Sequence, residues 1–263
     1  MAIPVYQVDA FTGAMFAGNP AAVCPLEEWL DDTLMQKIAA ENNLAETAFF
    51  VPVDNGYKLR WFTPAVEVAL CGHATLATAF VILNYLKPDT DRVRFHTLSG
   101  ELIVTRDGDQ LQMDFPALVP EPMAPRMDIH TALGGAMPAE WFRLSKVHAA
   151  DYLMTVFHAA DEVAALRPDF RTLGANVIVT AKGFDVDFIS RFFAPASGID
   201  EDPVTGSSHC SLAPYWAQKL GKRKLTARQI SARSGEMTCE MKDDRVLLTG
   251  SCVLFMQGAI SIP

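Results

Sequence analysis

Apolar positions along the chain gather into short runs, alternating or continuous, bounded by Gly, Pro and Asp turns, and such runs predict strands. They lie at Val5 to Val8, Thr47 to Val51 and Leu59 to Phe62, then at Tyr152 to Val156, Val177 to Val179 and Asp187 to Phe193. Two longer stretches read differently. From about His73 to Leu86 the sequence includes ATLATAFVILNYL and is followed by Pro88. It is apolar nearly all round, which predicts a helix with almost no wet face that a curved sheet must wrap. A second helix is expected from about Ser207 to Leu220, capped by Gly221 and carrying Pro214 in its interior, where a kink is expected. The prolines at 116, 120, 122 and 125 mark a crossing segment, with a boundary near Ala117. Residues 128–144 read as either a short helix or a loop.

The pattern occurs twice. Arg60-Trp61-Phe62-Thr63-Pro64 resembles Arg191-Phe192-Phe193-Ala194-Pro195 at an offset of 191 − 60 = 131. Cys71-Gly72-His73 corresponds to Thr205-Gly206-Ser207 at 206 − 72 = 134, so the second copy holds three extra residues before its glycine turn. Ser99-Gly100-Glu101 then matches Ser234-Gly235-Glu236 at 234 − 99 = 135, each ahead of a two-strand pattern with a polar turn. Order and offset agree, which predicts a duplicated unit.

Composition narrows the class. Half of the 263 residues are hydrophobic, a fifth are charged, and Gly and Pro number 16 each; a disordered, collagen-like or coiled-coil chain is excluded. Lys and Arg number 22 against 31 Asp and Glu, net −9. A nucleic-acid or membrane partner would lack its usual electrostatic footprint, and a small molecule is the expected ligand. Five cysteines (Cys24, Cys71, Cys210, Cys239, Cys252) form no C-x-x-C pair, which points to a reducing cytoplasm rather than a disulfide framework or zinc ribbon. The start MAIPVYQVDAFTG carries no basic or apolar leader, and Ala79 to Leu83 is far shorter than the roughly 18 residues a spanning helix needs. Phosphate-loop, dinucleotide and zinc-hydrolase motifs are missing, so no metal or nucleotide is expected. His96, His130, His148 and His158 are scattered and read as structural or exposed.

Two duplicated α/β halves predict a ligand cleft between them. The glycine turns precede the helices, where unpaired N–H groups and about half a positive charge suit a carboxylate or an enolate-like oxygen. Gly72 and Gly206 allow a ligand close to the backbone.

Four ordered strings carry a resemblance: Val8 to Val23 (VDAFT, then F-x-GNP), Ala45 to Phe50 (AETAFF), Phe62 to Thr75 (FTPAVEVALCGHAT) and Gly198 to His209 (GIDEDPVTGSSH). They resemble the phenazine-biosynthesis PhzF-like family, within the wider group that has the diaminopimelate epimerase fold. The resemblance covers nearly the whole chain. It implies an α/β (α+β) fold of two pseudo-symmetric halves, 1–117 and 118–263, each a curved or barrel-like sheet around a central helix, with the last strand returning to the first half. It also implies cofactor-independent proton transfer at carbon and a homodimer. By motif position Glu46 matches the family's acid/base, while His73, Asp202 and Ser207 match residues that orient substrate or assist proton movement. Gly18, Asn19, Cys71, Gly72, Thr205 and Gly206 are then expected to contact substrate.

Each residue also has a plainer reading. Glu46 precedes an apolar run, where a carboxyl facing low dielectric suits reversible proton transfer near neutrality; otherwise it is a solvated charge. His73 is either a relay or a structural histidine, Asp202 a substrate anchor or an Asp-Pro turn, Ser207 a ligand contact or a helix cap. Gly18-Asn19-Pro20 is otherwise simply a turn. Cys71 has its counterpart in Thr205, and Cys210 lies four residues past Gly206, so a two-thiol epimerase or racemase is disfavoured. The expected function is an isomerase, or a related lyase, acting in biosynthesis on a small carboxylated metabolite, amino-bearing or not. The alternative is a module that kept the fold for ligand or protein binding without turnover.

Overall fold

The apolar runs lie in strands, most of them longer than the alternation alone shows. The computed structural model describes residues 2–144 and 152–262, and His148 lies outside them. Contacts divide the chain into two units, Met1–Asp114 with Thr249–Pro263, and Phe115–Leu248. The change of unit falls at the edge of the proline-dense stretch, just ahead of Ala117.

The first unit contains β1 (Ala2–Ala10), β2 (Asn19–Pro25), α1 (Asp32–Asn42), β3 (Glu46–Val53), β4 (Gly56–Phe62), β5 (Glu67–Val68), α2 (Gly72–Val81), β6 (Arg92–Thr97), β7 (Gly100–Asp107) and β8 (Gln110–Pro116). The second contains β9 (Glu121–Pro122), α3 (Met127–Leu133), β10 (Glu140–Arg143), β11 (Tyr152–Val156), α4 (Ala160–Ala165), β12 (Asn176–Lys182), β13 (Phe188–Ala194), β14 (Ile199–Glu201), α5 (Gly206–Leu220), β15 (Lys224–Gln229), β16 (Gly235–Lys242) and β17 (Arg245–Gly250). The last strand, β18 (Cys252–Ser261), pairs antiparallel with β1 in the first unit.

Within each unit the strands pair in the same succession. In the first, β1–β2 is antiparallel, β2–β3 parallel, β3–β4 and β4–β5 antiparallel, β4–β6 parallel and β6–β7 antiparallel. In the second, β10–β11 is antiparallel, β11–β12 parallel, β12–β13 and β13–β14 antiparallel, β13–β15 parallel and β15–β16 antiparallel. The repeated strings therefore sit at matching places in two sets of strands of one topology. Where the first copy runs from Pro64 to Glu67, the second runs three residues longer from Pro195 to Glu201, through the 3-10 turn Pro195–Ser197 between β13 and β14.

Each set of strands holds one long helix. Eight of the ten residues of α2 are buried, as its all-round apolar surface requires, and it packs on β1, β2 and β3. It continues as a wider π turn, Ile82–Leu86, closed by Lys87 N–H donating to Ile82 O at 2.7 Å one residue before Pro88. Helix α5 runs unbroken through Pro214 to Gly221, which caps it at φ 66°. Proline cannot donate to the carbonyl of Cys210, and that oxygen instead accepts from Leu118 N–H at 2.9 Å. A separate apolar layer covers α1 against Phe49, Phe62 and Cys24 in the first unit. Another gathers Ile129, Leu133, Val163 and Leu166 from α3, α4 and the residue after α4 against Val177, Val179 and Phe193 in the second. The segment from Asp128 to Leu144 is resolved as most of α3 followed by β10. No described helix is long and apolar enough to cross a membrane.

Candidate active site

Local geometry places Glu46 first. Helix α1 ends on Asn43 in the left-handed conformation (φ 50°), the chain turns, and Glu46 opens β3 opposite Ala21 of β2. Beside it lies His73, the second residue of α2, with its Nε2 3.0 Å from Glu46 Oε2. The side chains are 6% (His73) and 17% (Glu46) exposed, so the pair is largely withdrawn from water. Ring and carboxylate are misaligned for a hydrogen bond, and neither of these two atoms has another partner among the described residues. Their attraction is therefore Coulombic, and both atoms retain hydrogen-bonding capacity.

The other ring nitrogen of His73, Nδ1, is flanked by Asn19 Nδ2 at 3.1 Å and by Cys71 Sγ at 3.5 Å. Burial, then the charge on Glu46, pushes the Cys71 thiol up to about 11; near neutrality it is an S–H, not a thiolate. For His73, burial opposes the charged form, but Cys71 and Glu46 on either side of the ring together outweigh it and draw the imidazole's proton affinity upward. A carboxylate oxygen, a thiol and a ring nitrogen from these three residues lie within 4.8 Å of one another, a set of types that can bind a metal. Glu46 and Cys71, however, approach opposite nitrogens of the ring. They form a chain through His73 rather than a face around one ion.

Gly18 makes the Asn19 contact possible. It sits at φ +69°, and a Cβ there would lie 2.3 Å from the carbonyl oxygen of Ala10, so only glycine lets the chain turn tightly into β2. Asn19 itself is fully buried. Cys71 caps α2 in an extended conformation without a side-chain cap bond, and Gly72 at the first helical position is part-exposed.

The second turn is built from other groups. Thr205 caps α5; its hydroxyl donates to Asp202 Oδ2 at 2.5 Å and its N–H donates to Gln229 Oε1 at 2.9 Å. Gln229 Nε2 donates to the Asp202 carbonyl at 2.8 Å, and Ser231 Oγ donates to that of Pro203 at 2.7 Å. Ser207, second in α5, is exposed and its hydroxyl makes no side-chain hydrogen bond among the described residues; the cap position is held by Thr205. Gly206 is buried at the first helical position. The side chain of the fourth residue of each helix ties back to the cap residue's carbonyl: Thr75 Oγ1 donates to Cys71 O at 2.5 Å, and His209 Nδ1 donates to Thr205 O at 2.8 Å. Glu46, His73, Cys71, Gly72, Gly18 and Asn19 thus form one cluster, and Asp202, Thr205, Gly206 and Ser207 another.

Each cluster is held by a clasp that sequence reasoning missed. Arg60 grips Glu67 with two bonds, Nε to Oε1 and Nη2 to Oε2, both 2.7 Å, while its guanidinium lies over Phe62 at 5.1 Å. Arg191 grips Glu201 in the same way at 2.8 and 2.9 Å and lies over Phe193 at 4.7 Å. Glu67 precedes Gly72 by five residues, and Glu201 precedes Gly206 by five. Planar two-point pairing of this kind fixes orientation as well as distance, so the strand leading into each glycine turn is anchored. The signal in the sequence is Glu at offset 201 − 67 = 134, the same offset as the glycines.

The family model described as phenazine biosynthesis-like protein (PhzC-PhzF) matches residues 8–258. An uncharacterised isomerase of Pseudomonas aeruginosa is 50% identical over all of both chains. The crystal structure of a PhzF family protein from Enterococcus faecalis is 44% identical, with TM-score 0.93 over 100% of each chain. A hydroxyproline epimerase from Agrobacterium vitis, solved with trans-4-hydroxy-L-proline, shares the fold at 12% identity and TM-score 0.61, covering 98% of this chain and 91% of its own. Topology, coverage and identity agree that the chain belongs to the phenazine biosynthesis-like (PhzF) family of isomerase-type proteins.

Proposed function

We propose that this protein is a cofactor-independent isomerase that moves a proton between carbons of a small carboxylated metabolite, with Glu46 as the acid/base. The observation that carries this reading is the withdrawn Glu46–His73 pair, 3.0 Å apart at the start of α2. A carboxylate there faces a histidine able to steady either protonation state, and the first-turn N–H groups of the helix favour negative charge developing beside them. A positioned acid/base supplies roughly 10²- to 10⁴-fold, about 3 to 5 kcal/mol, while enzymes commonly lower barriers by about 8 kcal/mol or more. The remainder is assigned to oriented donors and substrate positioning.

The ionisable pair occurs once. Thr47 pairs with Phe62 and Val177 with Phe193, so the counterpart of Glu46 is Asn176, a buried amide that donates to Ser197 Oγ at 2.8 Å. The counterpart of His73 is Ser207, and that of Cys71 is Thr205. This asymmetry favours a single base that takes and returns the proton over a symmetric two-base or two-thiol racemase. In this reading Asp202 and Ser207 orient substrate.

The test is solvent deuterium incorporation, read by mass spectrometry across a panel of amino and hydroxy acids. An isomerase labels at least one of them; a protein that only binds raises its melting temperature with a ligand and labels none, which would overturn the proposal.

A further inference from the structure

Asn19 and His73 are 54 residues apart, yet both are buried and their side chains meet at 3.1 Å between Nδ2 and Nδ1. A neutral imidazole has one N–H and one bare nitrogen, and an amide nitrogen only donates. Asn19 therefore hydrogen-bonds a bare Nδ1, and the ring proton sits on Nε2, the nitrogen 3.0 Å from Glu46. On the other side of the ring the carboxylate of Glu46 lies 3.0 Å from Nε2, so a proton there faces negative charge. The backbone supports the clamp: Gly18, glycine by steric necessity, delivers Asn19 as the first residue of β2, directly paired with Ala10 of β1.

We propose that Asn19 is a positioning residue that sets the tautomer of His73, so that whenever the ring is neutral its one proton sits on Nε2, on the side of Glu46. The proton that the ring gives up last is then the one nearest Glu46, 3.0 Å from its carboxylate. The proposal rests on the acid/base reading of Glu46 for its functional meaning but not for its geometry. Asn19 is thereby given a role within the protein instead of a contact with substrate. Because Glu46 also draws a second proton onto the ring, the amide must turn to present its oxygen whenever Nδ1 is protonated. The two forms differ by that turn.

The test is ¹⁵N-detected imidazole spectroscopy of labelled protein, followed through a pH titration. The wild-type alkaline form is expected to show His73 protonated on Nε2 and bare on Nδ1. Asn19→Ala should lower the Nε2–H to Nδ1–H ratio roughly five-fold, the order that one neutral hydrogen bond supplies. Asn19→Asp, which can only accept opposite Nδ1, should reverse the tautomer and keep the imidazolium to higher pH. A wild-type alkaline form protonated on Nδ1 overturns the proposal, as does an unchanged ratio in a folded Asn19→Ala protein. If the alanine variant does not fold, the wild-type spectrum alone decides. Failure to exchange substrate protons would instead sink the proposed reaction and leave the tautomer standing, so the two failures are separable.

Discussion

Protonating His209 should cost the protein stability in a narrow acid window. This histidine is fully buried in α5, tilts against Phe188 at 5.8 Å between ring centres, and spends its Nδ1–H on the carbonyl of Thr205. Its Nε2 has no partner among the described residues, and burial pulls the group down from 6.5 to about 4. Between those values the unfolded chain binds more protons than the folded one. The stabilisation from keeping His209 neutral is therefore fully present above about 6.5 and is lost as pH falls toward 4. At 1.36 kcal/mol per unit the whole effect is about 3 kcal/mol, of which about 2.5 is gone by pH 4.5. Urea denaturation of wild type and His209→Gln at pH 7.5 and 4.5 isolates it, because the neutral-pH cost of losing the Thr205 bond subtracts out. The wild type should lose about 2.5 kcal/mol more than the variant between the two pH values. Equal losses would refute the argument.

The Arg191–Glu201 clasp, 13% and 20% exposed, should show a coupling of about 1 to 2 kcal/mol in a double-mutant cycle. The exposed Arg143–Glu121 pair, 64% and 47%, should show less than about 0.5; equal couplings would remove the clasp's special role. Gly18→Ala should cost about 2 kcal/mol in urea melts, from left-handed strain and the approach to Ala10 O, and a neutral effect would contradict the turn geometry. Burial raises Cys24 and Cys210 to about 12, and Cys71 is held at about 11. Iodoacetamide at pH 7.5 should therefore label these three sites in native protein far more slowly than in urea, by peptide mass spectrometry. Rapid native labelling of Cys71 would revive thiol chemistry.

The duplication was legible because the aromatic and glycine strings that carry it are local, and because the three extra residues fall together between Pro195 and Glu201. The clasps were harder to see, since Arg60 and Glu67 are joined across β4 and β5 and stand seven positions apart, whereas Arg191 and Glu201 stand ten apart, so the arginines and the glutamates repeat at different offsets. β5 and β14 have two and three residues, too few to show a period. Glu46 and His73 could be singled out by motif, but their contact depends on a parallel register that no string encodes. Asn19 reads as a turn residue because its partner is 54 positions away. Gln229 gave no signal, lying at the end of a strand whose pattern explains it as core. Pro214 signals a kink by its missing N–H, while the remedy, Leu118 N–H on the carbonyl of Cys210, is a tertiary contact.

The central claim is that Glu46 carries the proton. Glu46→Gln keeps the side chain's size and removes its capacity to exchange a proton. On any substrate that wild type labels from deuterated solvent, the variant should fall at least about 10²-fold in exchange with its melting temperature within a few degrees of wild type. Exchange at the wild-type rate in Glu46→Gln would contradict the account.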